Sequence, residues 1–558
     1  MRRFPLLLLL PLLLTACRHT PDHARFIPRN ALSVVGINLG GMSQKITWSA
    51  LTGADVSSGF DSLMLRKGYR ITAEDLRHSG LDLSSTVYMY WASDRKPEPV
   101  AILPLENASE WKTFLQKTFP DLKTLPTKAA SAAQLDSNLS AYWTEKVAFV
   151  RRPVRSPGSY VLLPDSTETW QEGAMDAAAT GAALEALGQL PKEEAIIGDS
   201  RFSTLAKSDR DAIIWLNYEQ MLKGGLGSGA AMSLLSNKVY QNMALATTLE
   251  FKDGAVNAES FYYASDALGD AVRKMGSGTL PKEMIARLPK QNMDGFAAAH
   301  LSLPAFRDLL DKMGLIGIVN MGLAAQQLSI DDITEALTGD IAVSINNYKT
   351  VTAPLIDSQF APYPQTRPQM DYVVALRLGK QEKVAKLLRF LVARKLLREV
   401  GSNTYAPFDS TGSGVLVLDA KYAVAAATQQ QAAAYLAGKA SRELHTDAKK
   451  AIGNGPIALF VDFQRILNGM DTTLMIQQRD RLQWLETQRI FSNLTVDGGH
   501  FANGHLVYLF RLRLLNQQEN ALLQLLRYAN RMAQIENAYP LQTAVPSFEN
   551  ASVPNGMP

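Results

Sequence analysis

Ala-Ile-Ile-Trp-Leu-Asn-Tyr-Glu-Gln-Met-Leu (212–222) and Ile-Ala-Leu-Phe-Val-Asp-Phe-Gln-Arg-Ile-Leu (457–467) match in apolar character at nearly every position. In each, a run of strand type leads to Asn217 or Asp462. Those side chains suit the N-cap of a helix whose inward positions are Tyr218, Met221 and Leu222, or Phe463, Ile466 and Leu467. The unit reads strand, cap, helix, and it is written twice.

Working outward, two further copies stand at Ile27–Leu39 and Leu288–Leu301, where Asn38 and His300 fall at the cap position. A capping or packing role is therefore expected for His300. Val87–Trp91 and Pro99–Leu105 read as paired strands followed by a helix over 109–118. Asp340–Asn346 and Tyr372–Leu378 read the same way, followed by a helix over 382–400. Each half closes on a hairpin signal. The first has Asp253-Gly254 between strands 247–251 and 257–263, and the second has Asp497-Gly498 between 493–496 and 505–510.

All these pairs keep one order, which predicts an internally duplicated α+β chain: antiparallel hairpins and sheets with helices packed on them. The expected organisation is a leader over 1–16, a linker over 17–26, a first half over 27–268, a second over 286–535, and a disordered tail over 540–558. Gly276-Ser277-Gly278 and Pro281 suit the join, since neither residue type continues a helix or strand easily. The helix expected over 516–534 carries Leu515, Leu522, Leu526 and Ala529 on one side and would pack back onto the second half.

The N-terminus has the grammar of a secretory signal: Arg2 and Arg3, an apolar run from Phe4 to Leu14, then Thr15-Ala16 before Cys17, the only cysteine. That run is shorter than the roughly 20 residues a membrane-spanning helix needs. Leu14-Thr15-Ala16-Cys17 resembles the bacterial lipobox, which implies cleavage before Cys17 and acylation of its sulfur and new amino terminus. Two or three acyl chains, at about 0.8 kcal/mol per buried CH₂, anchor stably where one would not. With that thiol acylated, disulfides, zinc–cysteine sites and cysteine nucleophiles are excluded. The formal charge of +4 falls further once Arg2 and Arg3 leave, so it points to no nucleic-acid partner. A chain 46% hydrophobic and 20% charged has the material for large cores.

Chemistry is hard to find. The glycine-rich 223–229 follows a helix rather than opening one, and no Gly-Lys-Ser/Thr is present, so it reads as a helix end and linker. Only His19 and His23 have helical metal-ligand spacing, and Pro21 lies between them. His500 and His505 flank the second hairpin without counterparts in the first. Asp331, Asp332, Glu335 and Asp340 read as helix-dipole acids rather than paired catalytic carboxylates. Lys380, Lys383, Lys386, Arg389, Arg394, Lys395 and Arg398 read as a solvated basic face, with anionic lipid or a phosphorylated glycan as the competing partner. Trp91, Trp111 and Trp215 sit in core patterns. No catalytic, cofactor-binding or metal residue is assigned, and no cofactor is expected; Cys17 is the one site.

Phe-Ile-Pro-Arg-Asn-Ala-Leu-Ser-Val-Val-Gly-Ile-Asn-Leu soon after the lipobox, Ser-Gly-Leu-Asp-Leu (79–83) and Leu-Thr-Gly-Asp-Ile-Ala (337–342) resemble a family of large Bacteroidota lipoproteins of unknown function. That resemblance supplies no catalytic residues. Arg18, His19, Thr20 and Pro21 lack the acidic residues that follow the cysteine in surface-exported members, which implies an outer-membrane position facing the periplasm. The expected function is a membrane-anchored envelope lipoprotein that binds or scaffolds an envelope partner without catalysis. Two other readings compete with it. An envelope hydrolase acting on glycan or peptide would show titratable residues converging between the halves. A ligand-uptake lipoprotein would show a large apolar pocket.

Overall fold

The computed structural model describes residues 22–66, 71–92, 98–128, 130–156, 159–162, 168–225, 239–352, 366–408, 414–438, 443–453, 455–472, 475 and 477–539. Its strands in the first half are β1 (Ser33–Asn38), β2 (Thr86–Trp91), β3 (Pro99–Pro104), β4 (Lys123–Thr124), β5 (Ser131–Gln134), β6 (Ser140–Trp143), β7 (Val147–Arg151), β8 (Ser159–Leu162), β9 (Glu168–Gln171), β10 (Ala212–Asn217), β11 (Ala244–Lys252) and β12 (Ala255–Tyr263). The second half has β13 (Met293–His300), β14 (Leu337–Thr352), β15 (Thr366–Leu378), β16 (Leu397–Gly401), β17 (Thr404–Pro407), β18 (Val415–Leu418), β19 (Tyr422–Ala426), β20 (Ile457–Asp462), β21 (Phe491–Ala502) and β22 (His505–Leu514).

Apart from the separate hairpin β8–β9, these form one 20-stranded sheet, antiparallel at every pairing. The halves meet where β12 pairs with β22, Ser260 opposite Tyr508. Outward from that seam the first half runs β12-β11-β10-β1-β2-β3-β7-β6-β5-β4. The second runs β22-β21-β20-β13-β14-β15-β19-β18-β17-β16. The two orders correspond strand for strand. The fold is α+β, and its halves share a sheet rather than a flexible join.

Strand alternation divides the apolar residues between two faces. One face carries the two large cores, around Tyr88, Phe149, Phe202 and Trp215 in the first half and around Phe296, Val373, Tyr422 and Phe460 in the second. Trp111 and Trp215 are buried as expected. The other face carries a helix over each half's outer strands, Ala108–Thr118 and Gln381–Ala393, here called the first and second roof helices.

Caps fix where strands become helices. Asn38 Oδ1 accepts from Gly41 N–H at 2.9 Å, Asn217 Oδ1 from Gln220 N–H at 3.1 Å, and Asp462 Oδ1 from Arg465 N–H at 3.0 Å. His300 breaks the series: Ser302 caps the following helix, and the His300 ring bonds Asp340 Oδ1 at 2.6 Å. Of the capping or packing role expected for His300, capping passes to Ser302, because the chain runs two residues further before it turns, and the ring instead lies against Gly278 and Asp340.

Three other expectations change. The second hairpin turns at Asn503-Gly504, both at positive φ, not at Asp497-Gly498, which lies inside β21 beside a bulge at Gly499. The helix expected to reach residue 400 ends at Ala393; Lys395 turns the chain at φ +56, and Leu397–Gly401 becomes β16. The C-terminal helix spans Ala521–Ala538 and docks chiefly on the first half. Asn530 donates to the carbonyl of Asp55 at 2.8 Å, while Leu522, Leu523 and Leu526 pack against Ile46 and Val56. Reciprocally, Gly269–Met275 packs on the second half's helix Leu303–Lys312, where Lys274 pairs with Asp308 at 3.0 Å. Each half's last helix therefore holds the other half.

Candidate functional site: an apolar cavity under the first roof helix

β3, β7, β6 and β5 make a floor. Ile102, Phe149 and Tyr142 point into the large core, which leaves Leu103, Val150, Ala148 and Ala141 on the opposite face. Above them the first roof helix starts at Asn107, whose Oδ1 accepts from Ser109 and Glu110 N–H at 3.0 and 3.2 Å. Trp111, Phe114, Leu115 and Thr118 recur at helical spacing and face down. Ile71, Leu76 and Leu81 close one side, and Lys117 ties the roof to that segment through Asp75 at 2.7 Å. The Asp75 carboxyl is lowered to about 2 by this lysine, with Thr72 adding hydrogen bonds.

Between roof and floor lies a space of about 820 Å³, partly open to solvent and within the size range of small-molecule sites. Its wall is carbon almost throughout. Among the described residues Arg152 is its only ionisable one, Asn138 also lines it, and Trp111 Nε1 is buried with no acceptor.

The corresponding space under the second roof helix, about 690 Å³, is built differently. Val384, Leu388 and Val392 line it together with Arg389, Glu399 and Asp419. That helix is held from outside. Lys383 and Lys386 reach Asp332 at 2.8 and 2.6 Å, and Lys380 reaches Glu335 at 3.0 Å. Asp332 also closes a capping box with Ser329, and these contacts hold its carboxyl well below the usual range. Of the four acids read as helix-dipole partners, Asp331 and Asp332 sit in the first turn of Ile330–Ala336, whereas Glu335 lies near that helix's end and Asp340 lies on β14, paired with His300 and Arg377. Three of the basic residues read as a solvated face are tied to Asp332 and Glu335.

Two polar recesses complete the survey. A groove of about 300 Å³ crosses the seam: Arg210 and Lys252 pair with Glu250 at 2.5 and 3.3 Å, Arg511 donates to Asn257 at 3.1 Å, and Asp497 Oδ1 is buried with no hydrogen-bond partner among the described residues. A wider depression of about 1350 Å³ lies beside residues 22–26. There His23 is pushed down by burial and bonds the Thr86 carbonyl, and Asp82 accepts from Ser84 and Ser85 at 2.6 and 2.5 Å.

Cys17, His19, most of the glycine-rich stretch and the tail lie outside the described residues. His505 sits against Phe261 and Tyr263 across the seam, ring centroids 5.1 and 4.9 Å away, and burial lowers its pKa; His500 lies on β21. Among the described residues no cluster of three or more His, Cys, Asp or Glu is placed to hold a metal, and no helix is long and apolar enough to cross a membrane. The cavity residues were not singled out as a site in the sequence. The available signal was Val147 to Val150, apolar at consecutive positions and hence on both faces of a strand.

No family model matches the chain, and no curated protein matches it. Among solved structures, three crystal forms of TP0453 are similar to part of it. Form I has 11% identity and a TM-score of 0.23, over 45% of this chain and 81% of that one. Form IV has 9% and 0.24, over 43% and 80%. Form III has 8% and 0.24, over 47% and 88%. Overlap of that order leaves fold and function to be argued from this chain's own residues.

Proposed function

We propose that this chain is a non-catalytic binding protein of the bacterial envelope, anchored through acylated Cys17, and that an apolar ligand occupies the cavity under the first roof helix. The observation that carries this reading is the cavity: about 820 Å³ between Leu103, Val150, Trp111 and Leu115, with a single ionisable residue among the described residues of its wall. A concave apolar surface of that size is costly to leave to water and favourable to fill. The hydrolase reading has less behind it, since Arg210 and Lys252 in the groove between the halves are both tied to Glu250. The anchor rests on Leu14-Thr15-Ala16-Cys17.

The test is displacement of a fluorescent apolar probe from the soluble chain beginning after Cys17. Val150→Trp fills the cavity; Val392→Trp fills its counterpart in the second half. Loss of probe binding in the first variant alone, with both variants folded by circular dichroism, supports the reading. Equal binding by wild type and Val150→Trp overturns it.

A further inference from the structure

The apolar cavity has one polar end, and that end is positive. Arg152 continues the alternation of β7, two residues beyond Val150, and reaches solvent at the rim beside Asn138. Its neighbours are paired: Arg151 with Glu98 at 3.4 Å and Arg155 with Glu172 at 3.4 Å. Among the described residues no carboxylate pairs with Arg152, and no Asp or Glu lines the cavity. A guanidinium left open at the mouth of a carbon-walled slot suits a ligand that carries its charge at one end.

Resting on the cavity reading, we infer that the ligand is an anionic amphiphile. Its single acyl chain lies under Trp111, Phe114 and Leu115, and its carboxylate or phosphate pairs with Arg152 at the rim. The chain supplies affinity, at about 0.8 kcal/mol for each buried methylene. The guanidinium supplies orientation, because its planar fork takes two oxygens of a carboxylate or phosphate at once. The head group remains in water, so no buried charge has to be compensated.

Dodecanoate, dodecyl phosphate and dodecanol share one chain and differ only at the head. Their binding to the chain beginning after Cys17, to Arg152→Gln and to Val150→Trp separates the claims. The two anions should bind wild type about tenfold more tightly than the alcohol. Arg152→Gln should remove that preference while keeping alcohol binding, and Val150→Trp should remove all three ligands. Whichever anion binds more tightly identifies the head group. Equal binding of alcohol and anions by wild type, or a preference that survives Arg152→Gln, overturns the assignment to Arg152 and leaves the cavity reading standing. Failure of all three ligands on wild type overturns the cavity reading and this inference together.

Discussion

The two roof helices occupy the same place in the strand order and are held by different means. Under the first, Trp111, Phe114, Leu115 and Thr118 are all buried, and one lysine, Lys117, ties the helix sideways. Under the second only Val384 is buried, and three lysines reach across to Asp332 and Glu335. Large apolar side chains separate the first roof from its floor. The second roof stands on Val384 and half-buried leucines, so its position is set by charge and its hollow admits Arg389, Glu399 and Asp419. The same scaffold thus yields a carbon-lined cavity in one half and one with charged residues in its wall in the other.

The largest effect that would break this comparison is at the props. Leu115→Ala should cost about 3 kcal/mol, the usual range for truncating a fully buried leucine, whereas half-buried Leu388→Ala should cost about 1 kcal/mol. Denaturant unfolding of the two variants measures both. Similar costs would mean that the second roof also stands on its apolar contacts and that the charges are incidental.

The contrast could be half read in the sequence. Asn217 and Asp462 announce their helices because a cap is a local device, and Asp253-Gly254 announces its hairpin for the same reason. Local signals also mislead. Asp497-Gly498 has turn chemistry, yet Asn503-Gly504 has it too, and the longer pairing of β21 with β22 decides between them. The helix expected to run to residue 400 stops at Ala393, because Lys395 takes a left-handed φ and Leu397–Gly401 pairs with β17. The cavity was not legible at all. Its wall gathers residues 64–81, 99–119 and 135–152, and an unfilled volume is a property of how those segments pack rather than of any one of them.

The tethers give the next effect. Asp332, whose side chain is 4% exposed, takes two lysines and a cap, so Asp332→Asn should cost about 2 kcal/mol. Asp75→Asn should cost below about 1 kcal/mol, because its partner Lys117 is largely exposed and screened. Both carboxyls titrate below their unfolded value, so each contribution is present above about pH 4 and fades as pH falls through the folded value. For Asp75 that window closes near pH 2, since its carboxyl is lowered to about 2. For Asp332, held lower by Lys383 and Lys386, the loss continues further into acid. Stability against pH should therefore flatten more on the acid side in Asp332→Asn than in Asp75→Asn. The opposite ranking would assign the tethering role to the first roof.

The smallest effect lies at the hairpin turns, where the halves also correspond. Gly504 has φ +87 and open space around it, so Gly504→Ala should cost about 1 kcal/mol from backbone conformation alone. Gly254 has φ +61, and a Cβ there would come within 2.5 Å of the Gln517 backbone, on the segment leading into the C-terminal helix. Gly254→Ala should therefore cost about 1 kcal/mol more than Gly504→Ala and speed amide exchange in Ala521–Ala538. Because that helix docks on the first half through Asn530, such loosening would show that the turn of one half positions the clasp supplied by the other. Equal costs at the two glycines, with exchange unchanged, would mean that Gln517 yields freely and that Asn530 and the Leu522–Leu526 contacts hold the clasp by themselves.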